Sequence, residues 1–404
     1  MLYLNPNAKL SPYPSSLQRV MNIETARQTR TWLQAWTGLR SGPTPLYDMA
    51  MLADRLGIGQ LALKDESVRS PLASFKALGA PAALIRYILC KYKDQGMDPA
   101  KVLRGQYAST LASETVISAT DGNHGRALAA AARDAGCRCV IVLHAHVSEE
   151  RERAIADFGA QIVRINGNYD DSVNVAAEQA TQNGWQVISD TSYEGYETIP
   201  RDVMQGYGVI ADEIFEQDIA RGHEGYTHVF LQGGVGGLAA GIASYFWEKL
   251  GDKRPALYVV EPTQADCLQQ SAMLGRAAKA TGSVDSVMAG LACGETSPLA
   301  WTFLESSIDA FITIEDHEAV TAMSALARCP DVPVVSGESG AAGLAGLCNI
   351  LTQEIATGRL KIDGTSRVLL INTEGATAPS VYRELTGEDA DDVLQRQRDH
   401  LADI

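Results

Sequence analysis

Along most of this chain, short apolar runs alternate with longer stretches whose apolar positions recur at helical spacing. The runs predict strands over 61–64, 115–119, 138–143, 161–165, 186–189, 228–232, 256–261 and 367–372. The stretches between them predict helices over 75–92, 124–135, 149–158 and 169–183, and a long one through 206–216. Strand, helix, strand at this spacing implies right-handed crossovers and a parallel sheet, so the fold class is α/β. The Val-Leu-Leu-Ile run within 367–372 is apolar on both faces, as a central parallel strand requires. Residues 1–45 read instead as a polar, proline-punctuated lead with a short helix over 24–36. That lead closes on Ser41-Gly-Pro-Thr-Pro45, an ordered loop entering a domain. Residues 388–404 form a charged tail, helical or frayed.

Composition narrows the function. With 404 residues, 46% of them hydrophobic and 21% charged, the chain buries a substantial core and divides into two domains or lobes. A formal charge of -15 argues against a nucleic-acid partner, which calls for a basic face, and is better read as solubility. No apolar run approaches the roughly 20 residues that cross a bilayer, and the opening MLYLNPNAKLSPYPSS lacks a signal peptide's basic-then-apolar order. The expected compartment is the cytoplasm, with no membrane partner. Seven cysteines, from Cys90 to Cys348, lack zinc-site spacing. Cys137 and Cys139 could share one strand face, but core or surface thiols are the better reading, and His144 and His146 have no acidic cluster beside them. No metal is expected.

Three segments carry chemistry, each at the end of a predicted strand, where parallel α/β sheets bind ligands. Ser74-Phe-Lys76-Ala-Leu-Gly79 starts a helix. A lysine among apolar neighbours at a helix start loses affinity for its proton, which favours the free amine that imine chemistry needs, although most such lysines are solvated surface charges. In Thr120-Asp121-Gly122-Asn123-His124-Gly125, the glycines permit close approach and the free N–H groups suit a substrate carboxylate. Asn123 could donate to a phenolic oxygen and Asp121 could act as a base; alternatively, either simply caps the helix. Gln232-Gly233-Gly234-Val235-Gly236-Gly237 forms an anion nest suited to phosphate. It also fits a dinucleotide fingerprint, with Glu261 closing the next strand, but a nicotinamide reading leaves the other two segments unexplained.

In this order, the segments resemble fold type II pyridoxal-phosphate enzymes, the tryptophan synthase β-chain and threonine dehydratase group. The likeness narrows to the diaminopropionate ammonia-lyase family through Asn168-Tyr-Asp-Asp171, Asp190-Thr-Ser-Tyr-Glu-Gly-Tyr-Glu197-Thr-Ile-Pro200 and Met204-Gln-Gly-Tyr-Gly208. Glu261-Pro262, Ala265-Asp-Cys-Leu268, Met288-Ala-Gly-Leu-Ala-Cys-Gly-Glu295, Gly337-Glu-Ser-Gly340 and Asn372-Thr-Glu-Gly375 extend it, so that it covers about residues 40 to 385. One departure is Pro71-Leu-Ala-Ser74-Phe-Lys76, which is closer to threonine dehydratases than to the family's Gly-Leu-Asn-Ala-Phe-Lys.

The resemblance implies two open, twisted, mostly parallel sheets flanked by helices. A large cofactor domain of residues 1–94 and 188–404 would enclose a small mobile one of 95–187. It implies pyridoxal 5'-phosphate on Lys76, Asn123 at its phenolic oxygen, its phosphate on Gly233, Gly234, Val235, Gly236 and Gly237, and Thr373 at its pyridine nitrogen. A neutral hydroxyl there leaves that nitrogen largely unprotonated and favours prompt β-elimination. Asp121 would be the base for a D-isomer and Lys76 for an L-isomer, with Thr120, Asp121, Gly122, His124 and Asp190 around the substrate. Asp121 with Asp190 suits a second ammonium and therefore a diamine; Asp190 as a simple turn cap is the alternative. A homodimer is implied too. Competing readings are a serine, threonine or 3-hydroxyaspartate dehydratase and a cofactor-binding protein without turnover. Cys267 and Cys293 are expected to come close enough for a bridge, with free thiols favoured in a reducing cytoplasm.

Overall fold

The apolar runs become strands because both of their faces are covered. The computed structural model describes residues 1–120, 122–145, 147–167, 169–353 and 358–402. Its strands are β1 (Leu2–Leu4), β2 (Leu46–Asp48), β3 (Gln60–Asp65), β4 (Thr115–Ala119), β5 (Arg138–Leu143), β6 (Gln161–Arg164), β7 (Gln186–Val187), β8 (His228–Gln232), β9 (Ala256–Pro262), β10 (Ala310–Ile314) and β11 (Arg367–Asn372). One sheet has the order β1-β10-β9-β8-β11-β3-β2, the other β6-β5-β4-β7. All pairings are parallel except those of β1 with β10 and β2 with β3 at the two edges. Two mostly parallel sheets flanked by helices are the expected fold class. β11 lies between β8 and β3, and Val368, Leu369, Leu370 and Ile371 are all buried.

The chain's start differs from its expected form. Leu2–Leu4 is an edge strand and not part of a loop, because its backbone pairs with β10 and the Met1 amine donates to the Thr313 carbonyl at 2.8 Å. The early helix is Ile23–Leu33, capped by the Asn22 side chain. β2 and β10 are two further strands not expected from the sequence: β2 is only three residues long, and the short apolar run of β10 does not by itself separate strand from helix.

Helices Lys76–Lys91, Thr198–Arg221 and Gly237–Leu250 form the layer beneath the site. Their backbones meet through glycine. A Cβ on Gly206 would stand 2.3 Å from the Leu78 carbonyl oxygen, and one on Gly241 would stand 2.6 Å from that of Met204. This approach brings Tyr207 against Phe75, ring centroids 4.8 Å apart, directly beside Lys76. A buried ion cluster anchors the turn after β3 to the same layer. Glu213 of helix Thr198–Arg221 pairs with Lys64 at 2.8 Å and Arg69 at 2.7 Å, and Arg69 also meets Glu66 at 2.8 Å. Removing one member would strand its partner's charge in the core, at a cost of about 3–5 kcal/mol.

Candidate active site

Lys76 opens helix Lys76–Lys91, and the loop before it is stitched to the segment after β11. Phe75 N–H donates to the Thr373 carbonyl at 3.0 Å, and Gly375 N–H to that of Ala73 at 2.9 Å. These bonds place Thr373 and Glu374 beside the lysine, and they hold Ala73 at φ 53°, a left-handed conformation that alanine rarely adopts. Asparagine tolerates it better. Ala73→Asn should therefore stabilise the protein by about 0.5 kcal/mol, seen as a raised thermal midpoint; an unchanged or lowered midpoint would show that the loop carries no such strain.

The Lys76 ammonium forms an ion pair with Asp190, which follows β7. Their side chains are 19% and 17% exposed, so the pair is reachable from solvent. His124 closes it from behind: Nε2 meets the Ile188 carbonyl at 2.8 Å and Nδ1 lies 3.8 Å from Asp190 Oδ2. Burial, the largest influence, holds the His124 imidazole below its ordinary value, so it is neutral. Burial would also lower the affinity of Lys76 for its proton, but the Asp190 charge outweighs it and the lysine is held above its ordinary range. Asp190 responds in the opposite sense: burial would raise it, and the charge and hydrogen bond of Lys76 hold it well below the usual carboxylate range. This corrects the expected proton-poor lysine, because a counter-ion distant in sequence reverses the effect of desolvation. Asp190 caps no helix; its carboxylate pairs with the lysine.

The loop after β4 faces the pair. Thr120 Oγ1 accepts the N–H groups of Gly122 at 3.3 Å and Gly125 at 3.4 Å, which fixes the turn. The Asn123 carboxamide donates to Glu374 and so reaches across to the segment that carries Thr373. Asp121 lies outside the described residues, as do Asn168 and His146.

The glycine nest completes the surroundings. Gly234 and Gly236 have φ of +62° and +99°, and helix Gly237–Leu250 begins at once, so its first N–H groups point out of the turn. A Cβ on Gly237 would lie 3.8 Å from the Tyr207 ring and 3.9 Å from the Asp190 carbonyl, so the nest opens beside the lysine. A nest at a helix start next to a reachable amine fits an aldehyde that carries a phosphate, and among the described residues the buried Tyr207 hydroxyl has no hydrogen-bond partner. The fingerprint's acid does not fit a dinucleotide. Glu261 is fully buried and accepts the N–H groups of Leu268 at 2.9 Å and Gln269 at 2.8 Å, which leaves nothing for a ribose. Burial pushes its pKa up to about 8.

Both thiols of the expected pair flank this nest. Cys267 Sγ donates to the Gly234 carbonyl at 3.4 Å, and a Cβ on Gly234 would lie 3.7 Å from Cys293 Sγ. They are not bridged. Cys137 and Cys139 are both buried, on and just before β5. Sequence reasoning gave no role to Tyr207, Arg151, Glu338 or Glu374. The flanking glycines of Met204-Gln-Gly-Tyr-Gly208 were the available signal for the first, since they mark a helix packed backbone to backbone.

The profile of the family described as pyridoxal-phosphate dependent enzyme matches residues 39–374. Diaminopropionate ammonia-lyase of Salmonella typhimurium is 38% identical over 85% of this chain and 87% of its own. The same enzyme of Escherichia coli is 36% identical over 95% of this chain and 94% of its own. The crystal structure of holo diaminopropionate ammonia lyase from Escherichia coli matches with a TM-score of 0.85 at 34% identity, covering 96% of each chain. With a lysine, a glycine nest and a site that fits the cofactor, the chain belongs to the pyridoxal-phosphate dependent enzymes and, among them, to the diaminopropionate ammonia-lyase family.

Proposed function

We propose that the chain is a pyridoxal-phosphate lyase that converts 2,3-diaminopropionate and water to pyruvate and two molecules of ammonia. The observation that carries this reading is the part-exposed Lys76–Asp190 pair beside a glycine nest. Lys76 would carry the cofactor and Gly233 to Gly237 its phosphate. Asn123 would meet its phenolic oxygen and Thr373 its ring nitrogen. When bound, pyridoxal phosphate supplies an electron-withdrawing system that makes the Cα proton removable and the β substituent expellable.

The chain's own residues do the rest. Lys76 Nζ takes the Cα proton of an L-substrate. Asp190, held ionised, pairs with the substrate's second ammonium in a partly desolvated place. A β-ammonium leaves as neutral ammonia without a further proton, so that acid need only hold the charge. The turn fixed by Thr120 presents the Gly122 region to the substrate carboxylate, with His124 behind Asp190. Asp121 would take the proton of a D-substrate from the other face. Asp121→Asn should lower turnover of the D-isomer by about 100-fold and that of the L-isomer by no more than about threefold; equal losses would reassign Asp121 to substrate binding.

The same reading makes residues 95–187 a small domain that closes on the substrate, and the protein a cytoplasmic homodimer in amino-acid catabolism. Among the described residues, no helix is long and apolar enough to cross a membrane. Borohydride treatment of the holoenzyme followed by peptide mass spectrometry tests the attachment. The cofactor's mass should be fixed to the peptide that contains Lys76, and a label on any other lysine would refute the assignment.

A further inference from the structure

Two buried acids beside the site have no part in the reaction above. Glu338 and Glu374 are 3% and 5% exposed. Glu374 accepts one Asn123 carboxamide N–H on Oε2 and the Ser339 backbone N–H on Oε1, the latter at 3.2 Å. Ser339 is itself held, since its Oγ accepts the Gly290 N–H at 3.0 Å. Glu338 Oε1 is buried, has no hydrogen bond among the described residues and lies 3.9 Å from Arg151 Nη2. The charged groups that face the two acids are Arg151 from helix Glu149–Ala156 and Arg126 from helix Asn123–Ala135. Burial and then the charge of Glu374 push Glu338 up to about 7, and burial raises Glu374 as well.

A primary carboxamide has two N–H donors on one nitrogen, in one plane. Holding one of them fixes the direction of the other and prevents the amide from turning its oxygen outward. We propose that Glu374 is a positioning residue: seated by Ser339, it binds one N–H of Asn123 and thereby aims the second at the cofactor's phenolic oxygen. This rests on the role given to Asn123 above. Without Glu374, the amide is free to rotate and present a carbonyl oxygen to an oxygen that carries negative charge.

A double-mutant cycle on the holoenzyme tests this without measuring turnover. The readouts are the cofactor dissociation constant from equilibrium dialysis and the position of the visible absorption band. Asn123→Ala and Glu374→Ala should each weaken cofactor binding by about tenfold and move the band. The double variant should be no more than about twofold weaker than Asn123→Ala alone, because contacts that act through one group are not additive. Independent losses that multiply to about a hundredfold would overturn the positioning role while leaving Asn123 as a cofactor contact. An Asn123→Ala variant that binds normally would overturn both. Glu374→Gln covers a folding failure of the alanine variant, seen by circular dichroism. Its amide oxygen still accepts the Asn123 N–H, so binding should stay within about threefold of the parent. A tenfold loss in Glu374→Gln would assign Glu374 an electrostatic role and overturn the one proposed.

Discussion

Lys76→Ala should abolish the visible cofactor band and lower elimination by about 10⁴-fold or more, because the variant loses both the attachment point and the base. The fold should survive. Lys76 stands part-exposed at the start of its helix, and the buried face of that helix is built from Ala77, Leu78, Leu84, Ile85 and Ile88. What the variant loses in stability is the ion pair. Because both partners are part-exposed, that loss should be about 1–2 kcal/mol, below the figure for a fully buried pair. Far-ultraviolet circular dichroism and a melting curve separate this outcome from collapse. A variant that is folded and turns over normally would remove the basis of the mechanism.

Asp190→Asn should act on the lysine through charge. With the carboxylate gone, burial is opposed only by the lesser influences of Tyr207 and Cys293, and the Lys76 pKa falls. Acetylation of Lys76 in the apoenzyme, read by peptide mass spectrometry, should therefore begin at a pH at least about one unit lower than in the parent. Elimination from diaminopropionate should fall by about 100-fold, and serine turnover should fall less, because only the diamine brings a second ammonium to pair. In the parent, Asp190 is lowered and Lys76 raised on folding. The pair's contribution to stability is thus present above about pH 4 and below about pH 10.5, and is lost on either side as the depressed acid protonates or the raised amine deprotonates. That window should vanish in Asp190→Asn. An unchanged acetylation profile would mean that Asp190 does not control the lysine.

Much of this architecture is legible in one dimension. Val-Leu-Leu-Ile in β11 and the buried run of β4 announce strands covered on both faces, and the glycines around residue 235 announce an anion nest. The parts that stayed hidden are those whose meaning is pairwise. Leu2–Leu4 becomes a strand only because β10 lies beside it. The Ala-Phe-Ile-Thr-Ile run of β10 is short enough to pass for part of a buried helix. Lys76 looks proton-poor from its neighbours in sequence, whereas Asp190, brought in after β7, reverses the sign. Glu374 looks like a loop residue until Asn123 is found bound to it. Local pattern reads burial and turns well, but it does not read which charge faces which.

The product ratio from the holoenzyme given 2,3-diaminopropionate decides the reaction, with ammonia assayed by glutamate dehydrogenase and pyruvate by lactate dehydrogenase. Elimination followed by hydrolysis releases both nitrogens, so two ammonia should appear for each pyruvate, faster than any pyruvate or other oxo acid from serine, threonine or 3-hydroxyaspartate at equal concentration. No pyruvate from the diamine, alongside ready release of one ammonia per oxo acid from a hydroxy amino acid, would contradict the account.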